Sequence, residues 1–237
     1  MTHSHRLHKL MGLIKLLSFI CMNKIIIAFG LFICFDCSAQ VKIHTPDLSK
    51  EENFQPVKRH ITLSTDKTGK IIVHLDANDG AGVAWIKDVD FATGIIEFDV
   101  KGKDVLQESF VGIAFHEANN TTYESVYFRP FNFQVDDTLR KKHAVQYISL
   151  PKFDWEYLRE TYPDKYEHAL LTFVDPNEWF HVKVVVDKNK IQAFVNDDNT
   201  ACISVKPLSK YLSGKIGFWV GNGSDGDFAN LVLYTNN

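Results

Sequence analysis

The chain has 237 residues, 45% hydrophobic and 23% charged, with a formal net charge of −3. This is ordinary globular composition with enough apolar material for one well-filled core. The absence of a basic excess argues against a nucleic-acid partner, which needs a positive face to neutralise phosphates.

Lys24 precedes an apolar run from Ile25 to Phe35, and Cys37-Ser38-Ala39 then places small residues before Gln40. Residues 1–39 therefore read as a signal segment cleaved after Ala39, and the protein as a bacterial one exported to the periplasm or beyond. Met22-Asn23-Lys24 makes an ordinary signal start, so the residues before it read as an upstream extension. Acylation of Cys37, giving an outer-membrane lipoprotein, is the alternative, although Phe35-Asp36 is a poor lead-in to a lipidated cysteine. Neither apolar stretch alone reaches the roughly 20 residues of a membrane span. Cleavage leaves 22 basic and 28 acidic residues, a net charge of −6. Cys21, Cys34 and Cys37 leave with the segment, so the remaining Cys202 has no internal disulfide partner and thiolate metal sites are excluded.

Residues 40–59 are polar and Pro-containing without periodicity and read as an N-terminal arm to a single domain over 60–237. Short β-rich runs follow, separated by Asp/Gly/Asn clusters: 60–63, 70–75, 84–86, 94–100, 110–115 and 123–129. The stretch 132–175 is less regular, with one strand expected at 143–147 and a short helix at 155–159. Regular runs return at 180–186, 190–195, 215–220 and 228–234. Many short strands and no long amphipathic helix make an all-β fold, a two-sheet antiparallel sandwich or a closed barrel. Period-two alternation puts Tyr123, Ser125, Tyr127 and Arg129 on one face, opposite Glu124, Val126 and Phe128. A face with two tyrosines and an arginine is either the solvent side of a sheet or a binding groove.

Gly94-Ile95-Ile96-Glu97-Phe98-Asp99-Val100, Phe110 to Phe115, and Gly214 to Gly221 followed by Asp227-Phe228-Ala229-Asn230-Leu231 resemble concanavalin A-like lectin/glucanase domains. Within that group they resemble laminin G-like and 3-keto-disaccharide hydrolase-like exported bacterial proteins, over about residues 60–235. It implies a two-sheet antiparallel jelly-roll sandwich; the motifs supply strand ends and turn glycines and specify no activity. Tyr127 to Phe133, followed by His143 to Tyr147, resembles a pattern of exported bacterial proteins in the same superfamily. Glu97-Phe98-Asp99 resembles the catalytic strand of family 16 glycosidases, but Lys101 replaces the third acid and removes the proton donor.

Sugars are held by planar amide, guanidinium and carboxylate groups while aromatic faces stack on the ring's C–H surface. Tyr127, Arg129, Asn132, His143, Gln146, Tyr147, Trp155, Arg159, Tyr162 and Tyr166 supply that inventory for a saccharide on the concave sheet. His143 with Glu124 or Glu167 forms a candidate general base and acid. Asp225 and Asp227, in an oxygen-rich loop, are candidate calcium ligands, although a Gly-rich turn accounts for them as well; no other cofactor is expected. Three readings follow: a carbohydrate-recognition protein, a hydrolase of sugar derivatives, or an exported scaffold. If the Tyr127 and Arg129 face forms the ligand groove together with His143, Gln146 and the insertion from Trp155 to Glu167, truncating Arg129 or Trp155 costs binding but little stability.

Overall fold

The computed structural model describes residues 41–196 and 198–236; the expected signal segment, with Cys37 and the cleavage site at Ala39, lies outside the described residues. Two antiparallel sheets make up the domain. Strands are numbered in chain order. The eight-stranded sheet has the order β13 (Ile203–Val205), β12 (Ile191–Val195), β11 (Phe180–Val186), β6 (Gly94–Lys101), β15 (Gly226–Asn236), β4 (Ile71–Leu75) and β3 (Ile61–Thr65), with β1 (Val41–His44) also paired to β15. The seven-stranded sheet runs β10 (Glu167–His168), β9 (Val145–Ser149), β8 (Thr122–Phe128), β7 (Val111–Asn119), β14 (Gly214–Val220), β5 (Gly82–Phe91) and β2 (Phe54–Val57). Two stacked sheets decide for the sandwich over the closed barrel.

Alternation builds the core. Phe180, Val182, Val184 and Val186 are buried, while the intervening residues are half-exposed. Phe98 of β6 meets Phe218 of β14 with ring centres 6.4 Å apart, and Phe128 of β8 meets Phe180 of β11 at 5.4 Å. These are inter-sheet contacts, and burying each aromatic contributes about 1.5–3 kcal/mol. Cys202 is buried among them, donating to the Ala193 carbonyl at 3.3 Å, and burial pushes its thiol up to about 12, as an apolar side chain of a sandwich interior should behave.

The arm reading of residues 40–59 is corrected, because they contribute β1 and β2 to the two sheets. All four residues of β1 are exposed, so the alternation of Val41 and Ile43 with Lys42 and His44 marks no buried face there. β2 is an edge strand carrying Pro56, which an edge tolerates.

Candidate functional site

The register of the seven-stranded sheet lines up Glu167, Gln146, Tyr127, Gly112, Trp219 and Val83 across adjacent strands, all on the face turned away from the other sheet. Gly112 is required in that row. A Cβ there would lie 2.2 Å from the Val126 carbonyl oxygen and 2.6 Å from Tyr127 Cα. Without it, the Tyr127 and Trp219 rings close over the strand to 4.7 Å between centres.

Outside β9 and β10, parts of the stretch 130–177 fold back over this face. Within it, Asp137 caps helix α1 (Thr138–Lys141), accepting from the backbone of Leu139 and Arg140, and so fixes where Arg140 leaves the chain. Asp154 caps α2 (Trp155–Thr161) through Tyr157 N, and Pro163 lies just past its end. Trp155 and Arg159 are one turn apart on α2, which stacks the guanidinium on the indole with 5.1 Å from Cζ to the ring centre.

Between this cover and the sheet lies a cavity of about 620 Å³. Phe110, Tyr127, Phe131 and Trp219 form apolar wall; Arg129, Asn132, Arg140, His143, Trp155 and Arg159 supply polar groups and the rim. Arg129 is buried, with its guanidinium 4.9 Å from the Tyr127 ring centre and 5.6 Å from that of Phe110. It donates to the His143 carbonyl at 2.8 Å, to the Tyr127 hydroxyl at 2.8 Å and to Gln146 Oε1. Tyr127 also donates to Gln146 Oε1, at 3.1 Å. Arg140 donates to Asn132 Oδ1 at 3.2 Å and to the Phe131 carbonyl at 2.9 Å.

Glu167 anchors the network from behind the cavity wall. Arg159 grips both its oxygens, at 2.8 and 2.6 Å, His143 Nδ1 lies 2.8 Å from Oε2, and Arg129 Nη1 is 3.8 Å away. The His143 contact is close but lacks the alignment of a hydrogen bond. Burial pushes the Glu167 carboxyl up, but the Arg159 bonds and the charges of Arg159, His143 and Arg129 outweigh it and hold the group below its ordinary value. For His143, burial pushes down and outweighs the pull of Glu167, with Arg159 adding to the lowering, so the imidazole is held below its ordinary value.

The structure brings together most of the residues that the sequence pointed to and separates the rest. Tyr127, Arg129, Asn132, His143, Trp155 and Arg159 line the cavity, and Gln146 holds Arg129 and Tyr127 from beneath. Tyr147 and Tyr166 do not line it. Tyr147 alternates with Gln146 and turns inward, where Leu208 N donates to its hydroxyl at 2.9 Å, and Tyr166 packs on it at 5.9 Å between ring centres. Tyr162 packs in turn on Tyr166, at 5.9 Å. Glu124 also faces inward, bound by Tyr147 and by His116 Nδ1 at 2.7 Å, so it has no part in chemistry at the cavity. Glu167 touches His143 but is held ionised by arginine, which removes it as a proton donor.

Glu97 and Asp99 belong to β6 in the other sheet, where Asp99 accepts from Asn230 at 2.7 Å and contacts His181 at 2.8 Å. Asp225 pairs with Lys103 and Asp227 with His74, each at 2.7 Å; these loop acids are spent on separate partners, and no cluster of three metal-ligating side chains occurs among the described residues. Sequence reasoning missed Arg140, Phe110 and Trp219 as cavity residues. Only Trp219 left a signal, since it alternates with the inward-facing Phe218 and Val220.

No family model matches the chain, and no curated protein matches it in sequence. Solved structures do match. A glycosidic hydrolase in its native form superposes with a TM-score of 0.53 at 14% identity, over 84% of this chain and 97% of that one. The β-glucanase of Bacillus licheniformis gives 0.52 at 14% identity, over 84% and 100% of the two chains. The fold is a two-sheet antiparallel jelly roll. A galectin-like protein of unknown function from Bacillus subtilis shares this jelly roll, with a TM-score of 0.52, 12% identity and coverage of 78% and 91%. In the jelly roll described here, the cavity lies on the outer face of the seven-stranded sheet, roofed by parts of the stretch between β8 and β11.

Proposed function

We propose that this cavity binds a saccharide and that the protein is an exported carbohydrate-recognition protein. The observation that carries the reading is the combination in its lining: Trp155, 46% exposed and stacked on Arg159, in the same cavity as the planar polar groups of Arg140 and Asn132. An aromatic face for the C–H side of a ring and fixed amide and guanidinium donors for hydroxyls are what sugar recognition needs. The volume falls within the range of about 300–1,000 Å³ typical of ligand sites. Two of the proteins that share the fold are a β-glucanase and a glycosidic hydrolase, names that agree with a saccharide ligand.

Binding is favoured over hydrolysis because, among the described residues, no carboxylate lines the cavity and His143 is the only histidine that does. A two-carboxylate mechanism therefore has no residues here. The test is a glycan-array screen of the exported protein with reducing-end release measured in parallel. We expect retention of a glycan, loss of that retention in Trp155→Ala, and no release. Release of new reducing ends would replace recognition by hydrolysis, and retention that survives Trp155→Ala would move the site elsewhere. For export, mass spectrometry of the secreted protein should find a chain starting at Gln40; a lipid-bearing start at Cys37 would mean an anchored protein instead.

A further inference from the structure

The charge of the cavity points to a particular class of saccharide, an inference that rests on the reading above. Arg129, Arg140 and Arg159 all line the walls, and among the described residues no aspartate or glutamate does. Behind the walls, Glu167 is the one carboxylate paired with any of the three guanidinium groups among the described residues. Both of its oxygens are taken by Arg159. Arg129 bonds only to uncharged oxygens and stands 3.8 Å from Glu167, and Arg140 bonds only to Asn132 and a backbone carbonyl. Three positive charges thus share one negative charge, in a domain that is acidic as a whole.

A buried cation without its own counter-charge is costly, and Arg129 is 4% exposed against two aromatic rings. The cost is offset when an anion occupies the space in front of it. Arg140 and Arg159 each keep Nη1 without a partner among the described residues, and Arg159 is partly open to solvent. Guanidinium edges of this kind suit the paired oxygens of a carboxylate or sulfate. We infer that the saccharide is acidic, with its carboxylate or sulfate set against Arg140 and Arg159 in front of Arg129.

The experiment uses the exported protein and three sets of oligosaccharides: neutral cello-, xylo- and galacto-oligomers, uronates from pectate and alginate, and sulfated oligomers from carrageenan. The tightest acidic binder is then measured again with its charge removed, as the methyl ester or the desulfated sugar, and with Arg140→Gln, using Lys188→Gln on an exposed turn as a control. We expect binding in an acidic set only, with the uronate and sulfate arms telling which group is read. Removing the ligand's charge or using Arg140→Gln should each weaken binding by at least about tenfold, while Lys188→Gln leaves it unchanged. Because the ligand's charge is removed in a separate arm, instability of Arg140→Gln does not mask the result. Tight binding of neutral glycans, indifferent to Arg140→Gln, would overturn the acidic class and leave saccharide recognition standing. Failure of all three sets to bind would overturn both.

Discussion

Replacing Glu167 by Gln keeps the shape of the side chain and removes the only negative charge that holds Arg159, His143 and Arg129 together. Breaking a buried ion pair from one side costs about 3–5 kcal/mol, because the remaining charge stays buried without compensation. The Arg159 side chain is 34% exposed and can recover hydration, which argues for the lower end. At about 2–4 °C per kcal/mol for a domain of this size, a loss of about 3 kcal/mol lowers Tm by about 6–12 °C at pH 7. Acid separates this mechanism from a general packing defect. The folded-state pKa of Glu167 lies below its ordinary value of 4.5, so its contribution is complete above that pH and is lost as pH falls through the folded value. His143, lowered from 6.5, adds a loss that begins as pH drops below its ordinary value, because the unfolded chain takes up that proton first. Thermal unfolding between pH 7 and pH 3 should therefore show a large gap between wild type and Glu167→Gln at neutral pH that narrows in acid. A variant within about 2 °C of wild type at pH 7, or a gap that does not narrow, would refute the role given to Glu167.

Arg129→Ala should lower Tm by several degrees, since it removes three hydrogen bonds inside the domain, whereas half-exposed Trp155→Ala should stay within about 0.5 kcal/mol of wild type by denaturant unfolding. Equal, small effects for both would return Arg129 to the surface. Gly112→Ala drives a methyl into the Val126 carbonyl and should cost at least about 1–3 kcal/mol, read as a shift in the urea midpoint; no shift would mean that β7 and β8 do not approach as closely as described. Cys202 should resist thiol reagents in the native protein and react only on unfolding, and labelling as fast with and without denaturant would contradict its burial.

Strands of the sandwich were legible where one face is buried, as in the alternation of Phe180 to Val186, and illegible where none is, as in the fully exposed β1. The same parity placed Glu124 opposite Tyr127 and Arg129 and so already argued against its catalytic role; Tyr147, next to Gln146, falls by the same rule. What parity does not carry is what covers a face. Arg129 belongs to the outer face as alternation requires, yet it is buried, because parts of the stretch 130–177 fold over it and supply partners distant along the chain. The expectation that truncating Arg129 leaves stability untouched fails for that reason. Arg140 shows the same limit: its capped helix is local, but its place beside Asn132 is set by tertiary packing.

A crystal structure of the protein with the oligosaccharide that it binds most tightly tests the central claim directly. The account predicts a sugar ring against Trp155, with polar atoms within hydrogen-bonding distance of Arg140 or Arg159, over the outer face of the seven-stranded sheet. A saccharide bound elsewhere, for instance across Asp99 and His181 on the eight-stranded sheet, would contradict it.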